Sequence, residues 1–289
     1  MVLESLVNPK KAEGKPFELF FIGLVYSSVA MFLSLWIFKE QASLVMVFLT
    51  VLAAVPLIVS AIKLEEERDI EEEVGEKTLL KEHWRVISFL VFLFLGFVVS
   101  YSLWFIFLPP DITQTTFSTQ ISTIENINSQ ITASTVLGGV ISPSKLLLRI
   151  FSNNVKVMVF AFLFSFFYGS GAIFILTWNA SVIAAAIGAF VRNNISMYAA
   201  SVGLAKVGGY FHILSLGLFR YFIHGIPEIT AYFIAGLAGG IISAAVIRHD
   251  FDNKNFKRIL YDSISLMVLA IFIVFIAALI EVYITPALF

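Results

Sequence analysis

Seven stretches of about twenty apolar residues dominate this 289-residue chain, at roughly 18–38, 43–62, 86–108, 155–177, 204–223, 227–247 and 263–285. At about 1.5 Å per residue, each matches a hydrocarbon core about 30 Å thick. Within lipid, only helices or closed barrels satisfy the backbone. The pattern predicts an all-α, polytopic transmembrane helical bundle. A further apolar run, 180–191, is too short to cross and is expected to form a re-entrant or half-helix element.

Composition supports the same class. Apolar residues make up 59% of the chain and charged residues 13%. A soluble domain lies nearer half and a quarter, so the excess has to face lipid. Cysteine is absent, which excludes disulfides, thiolate catalysis and Cys-ligated metal centres. A net charge of -1 opposes non-specific nucleic-acid binding. No cleavable signal peptide is expected, because the apolar run after Lys10, Lys11 and Lys15 is too long for one.

Basic residues set the expected orientation. The N-terminal tail, the segment 63–85 (Lys63, Arg68, Lys77, Lys81, Arg85) and the segment 248–258 (Arg248, Lys254, Lys257, Arg258) are basic, whereas 109–144 carries no Lys or Arg. This predicts a multi-pass cell-membrane protein with a cytoplasmic N-terminus and an external C-terminus. Arg192 then falls on the cytoplasmic side. The chain divides into three parts: a two-span extension over 1–62, a charged cytoplasmic helix over 63–85, and a five-span core over 86–289 with an outer loop at 109–150.

Two segments outside the spans could meet partners. The acidic clusters Glu65–Glu66–Glu67 and Glu71–Glu72–Glu73 make 63–85 either a solvated helix face or a docking surface for a basic partner. In 109–150, Ile124, Ile127 and Ile131 follow helical spacing, which suits an amphipathic helix on the outer surface. The sequons at Asn179 and Asn194 lie at or inside the membrane or on its cytoplasmic side, and are read as chance matches.

Ionisable groups inside spans are rare and usually functional. Here they are Arg220, His224 and Glu228 near one span junction, and Glu281 near the end of the last span. Asn153 and Asn154 open the fourth span. All are expected at the outer end, where they could meet. Pro227 suits the first turn of a helix, with Glu228 at its positive dipole end. Two readings fit the cluster: a polar clamp that pins helices, or an ion, proton or ligand site. A metal site from one His and two carboxylates is weak, and none is assigned. Asn179, directly after Trp178, reads as a cap on the short 180–191 helix. Gly236 with Gly240, and Ala184 with Gly188, are small-xxx-small pairs that suit internal packing or a homodimer face.

No enzyme is expected and no cofactor is implied. Ser170 and His224 invite comparison with an intramembrane serine protease. However, Ser170 lies about fifteen residues into its span, roughly 22 Å from the end where His224 is expected. A nucleophile and its base must lie within hydrogen-bond reach.

At these residues the chain resembles the stage II sporulation protein M family. The matching pieces are Asn153–Asn154, Tyr168–Gly169–Ser170–Gly171, Asn179, His224–Gly225–Ile226–Pro227–Glu228 followed by Ile234–Ala235–Gly236, and Ala277–Ala278–Leu279–Ile280–Glu281 with Ile284–Thr285–Pro286. They cover about residues 86–286. The resemblance implies an integral membrane scaffold. The family's namesake acts in engulfment in spore-forming bacteria, where it holds peptidoglycan-degrading partners at the membrane. The expected function is therefore a scaffold that positions partner proteins, in contact with the lipid bilayer. The alternative is a small-solute or ion transporter or channel with its site near His224, Glu228 and Glu281.

Overall fold

The computed structural model describes residues 16–71, 76–126, 142–168, 171–195, 204–247 and 254–288. These residues form α1 (Pro16–Ile37), α2 (Ala42–Glu71), α3 (Glu76–Phe107), α4 (Pro110–Thr116), α5 (Pro143–Tyr168), α6 (Ala172–Ile195), α7 (Leu204–Ile247), α8 (Lys254–Leu279) and α9 (Thr285–Leu288). A further helical stretch covers 118–126, and a π turn, Ile280–Ile284, separates α8 from α9. Seven of the helices are long and apolar enough to cross a bilayer. There is no strand among the described residues.

Seven spans are present, but two boundaries differ from the sequence reading. The run 180–191 is the second half of α6, a 24-residue helix that is itself long enough to cross. It is not a re-entrant piece, and Asn179 lies in mid-helix and caps nothing. Conversely, 204–223 and 227–247 join into α7, one helix of 44 residues with Pro227 in its interior. Pro227 does not open a helix. Its missing N–H leaves the Ile223 carbonyl without its usual donor one turn back. At about 66 Å, α7 is roughly twice a bilayer core in length.

The element that does fold back is α4 with 118–126. After Pro109–Pro110 the chain reverses and re-enters the bundle. Phe117 is fully buried, with its ring centroid 5.1 Å from that of Phe105 and 6.3 Å from that of Tyr101 on α3. Gln120 is also fully buried and donates to Ser43 O and Ser181 Oγ, both at 3.1 Å. Half-burial of Ile121 and Ile124 against the core places this stretch in the bundle, not on the outer surface. Ile127 and Ile131 lie outside the described residues.

α3 packs against both α1 and α6. α1 crosses α3 where Gly23 faces the Leu93 carbonyl and Gly96 faces the Phe20 carbonyl, so neither glycine has room for a Cβ. Polar bonds add to this packing. Ser28 Oγ lies 2.9 Å from Ser100 Oγ and accepts from Trp104 Nε1 at 2.9 Å. Thr50 of α2 meets the Tyr101 hydroxyl at 2.6 Å. The two N-terminal helices are therefore built into the bundle through the first helix of the core.

α6 runs parallel to α3, because Ser102 Oγ donates to Ala184 O at 3.4 Å and Gly188 abuts the Phe105 ring one turn on. Arg192 continues the series. Its guanidinium donates to Ile106 O and Leu108 O, and its carbon lies 5.4 Å from the Phe105 ring centroid. Arg192 thus caps the C-terminal carbonyls of α3 at the end bearing α4. The expected position at the opposite, basic end was wrong because it rested on the re-entrant reading of 180–191.

Candidate functional site

Three helices supply the polar cluster. α5 contributes Asn154, α7 contributes His224, Glu228 and Tyr232, and the π turn with α9 contributes Glu281 and Thr285. Glu228 and Tyr232 are one α-turn apart, so they share a face of α7. The Tyr232 hydroxyl donates to Glu228 Oε1 at 2.6 Å, and Tyr232 is fully buried. His224 Nδ1 lies 3.3 Å from Thr285 Oγ1, a bond that ties α7 to the end of the chain.

Glu281 lies within the π turn, and Thr285 owes its position to it. Thr285 N–H and Thr285 Oγ1 both reach back five residues to the Ile280 carbonyl, the hydroxyl at 3.2 Å. The wider turn shifts the helical phase of the residues after it, and π turns recur at functional positions. Glu281, at the end of α8, lies within the electrostatic reach of Glu228 on α7. Asn154 projects from α5 beside Glu228 and is 5% exposed. Its Nδ2 is buried close to the Glu228 carboxyl and makes no well-aligned hydrogen bond among the described residues.

Arg220 stands one turn before His224 and stacks on the Phe190 ring at 5.3 Å. Asn153 is exposed and takes no part in the cluster. Ser170 lies outside the described residues, and its place in the chain is after the end of α5. Among the described residues no group of three His, Cys, Asp or Glu side chains could hold a metal ion. Sequence reasoning missed Tyr232 and Thr285. The first was legible as the residue four after Glu228. The second depends on the π turn, for which the sequence carries no signal.

The small residues are used within the bundle. A Cβ on Gly236 would lie 3.1 Å from Ala172 Cβ and 3.5 Å from Ser165 Oγ. Ala184 is fully buried, and Gly188 packs on Phe105. α7 approaches α5 closely at Gly239, where a Cβ would run into the Phe162 carbonyl. Gly240 is half-buried.

Seven long apolar helices, three of them carrying a half-buried polar cluster, define a multi-pass helical membrane protein. The family model for stage II sporulation protein M matches residues 86–286, and the chain belongs to that family. No curated protein and no solved structure matches the chain. The match starts within α3, at the residues leading into its apolar stretch, and leaves α1 and α2 outside.

Proposed function

We propose that this chain is a non-catalytic membrane scaffold that positions partner proteins at the bilayer. The observation that carries this reading is the length of α2 and α3. By sequence their apolar stretches end at Ile62 and begin at Val86, yet the helices run on to Glu71 and back to Glu76. About 14 Å of helix on each side extends past the apolar level. The first acidic cluster lies on the α2 extension, and the second begins at its last residue, Glu71. The folded-back 110–126 segment supports the same choice, because its buried residues are inaccessible as an outward surface. Family membership agrees. The occupant expected at this pair of helix ends is a basic protein segment, and the positive-inside pattern supports a cytoplasmic side for them and for the N-terminus.

Changing Glu65, Glu66, Glu67, Glu71, Glu72 and Glu73 to Gln is expected to abolish capture of basic partners by the purified, reconstituted protein and leave its melting temperature unchanged. Pull-down with a set of basic peptides tests this. Equal capture by both proteins would sink the reading.

A second reading, a monovalent-cation or proton site, is favoured by one observation: Glu228 and Glu281 lie within electrostatic reach of each other, with the Asn154 side chain beside Glu228. The Ile223 carbonyl freed by Pro227 lies on the same stretch of α7. Proteoliposomes should then show a proton or sodium flux that falls at least tenfold in Glu281→Gln. Absence of any flux in the unmodified protein rejects this second reading and leaves the scaffold untouched.

A further inference from the structure

A groove of about 390 Å³ opens where the end of α1 meets α4, lined by Leu35, Lys39, Asp111, Ile112 and Thr115. Its volume falls within the roughly 300–1,000 Å³ range of small-molecule sites. Its depth in the membrane can be read from the helix ends. α1 stops at Ile37 and α3 at Phe107, so the groove lies where the apolar stretches finish. Exposed Trp36 and Phe107, 81% and 73% accessible, flank that level, as aromatic residues do at the bilayer–water boundary.

The lining divides by chemistry. Leu35 and Ile112 are apolar. Lys39 and Asp111 carry opposite charges, and Thr115 adds a hydroxyl whose own proton goes to Asp111 O at 3.1 Å. Lys39 and Asp111 form no ion pair with each other among the described residues. Opposite charges held apart in one groove at interfacial depth complement a ligand that carries both signs together with an apolar body.

We infer that this groove binds the headgroup of a zwitterionic phospholipid with a primary ammonium, of the phosphatidylethanolamine type. Lys39 serves the phosphate as a point charge with three donors. Asp111 accepts from the ammonium. Leu35 and Ile112 meet the start of the acyl chains. A glycerol headgroup offers Asp111 no cation, and a choline headgroup offers it no N–H donor.

Native mass spectrometry of the full chain, released from nanodiscs of equal parts ethanolamine, choline and glycerol phospholipid, tests the assignment. The unmodified protein is expected to retain the ethanolamine lipid at least fivefold over the other two. Lys39→Ala should lose retention of all three lipids. Asp111→Asn should keep lipid and lose the preference among headgroups. Circular dichroism of each variant checks that the helices remain. Equal retention of the three lipids by the unmodified protein overturns the inference, as does an unchanged preference in a folded Asp111→Asn protein.

Discussion

Replacing Gly96 by leucine is expected to strip α1 from α3 and to destabilise the protein by about 3 kcal/mol or more, the upper end of what overpacking costs. At this crossing the two backbones touch through hydrogen alone, on Gly23 from one side and Gly96 from the other. The obstacle to a side chain is backbone, the Phe20 carbonyl and the Leu24 nitrogen, which no rotamer change can move. Separation would also break the Ser28–Ser100 and Trp104–Ser28 bonds, which lie one turn further along. The thermal unfolding midpoint in detergent and protease sensitivity of the α1–α2 connection report the effect. Gly208→Leu serves as the control, because a Cβ there meets nothing within 4 Å. Equal melting temperatures for the Gly96 and Gly208 variants would disprove the crossing.

The second large effect is expected at Gly239. Valine there would drive its Cβ into the Phe162 carbonyl, again backbone, and part α7 from α5. The loss should match that at Gly96, about 3 kcal/mol. It should also spread, because α5 brings Asn154 to Glu228. Gly236→Ala is expected to cost only about 1 kcal/mol, the lower end of the same range. Its nearest neighbours are the Ala172 methyl and the Ser165 hydroxyl, side-chain atoms that give by a few tenths of an ångström. Melting curves of the two variants test this ranking, and a milder effect at Gly239 than at Gly236 would overturn it. The small-xxx-small pattern pointed to Gly236 and Gly240. The backbone clash lies at Gly239, one residue before the second of these, a placement that helix phase decides and spacing alone does not.

These glycines indicate how far the sequence could be read. The helical class and the number of spans emerge from hydropathy alone. The assignment of spans does not, because two errors cancelled. The Trp178–Asn179 pair looked like a boundary, yet α6 carries it through mid-helix. Instead α5 covers Pro143–Tyr168 and α6 opens at Ala172, inside what hydropathy reads as one apolar run. Pro227 looked like a first-turn residue because that is its usual place in soluble helices. In a tightly packed membrane helix it is tolerated in the interior. For the cluster, the rarity of ionisable groups in spans was a sufficient guide to His224, Glu228 and Glu281. Their meeting needed tertiary geometry.

The π turn has one more consequence. It holds an extra residue compared with ordinary winding, and each residue advances an α-helix by about 100°. Wound as ordinary α-helix at the same length, this stretch would turn Thr285 by about 100° away from the imidazole it meets. Loss of one position from 280–284 would instead absorb the wide turn and keep Thr285 in phase, so the contact depends on the balance of length and winding rather than on either alone.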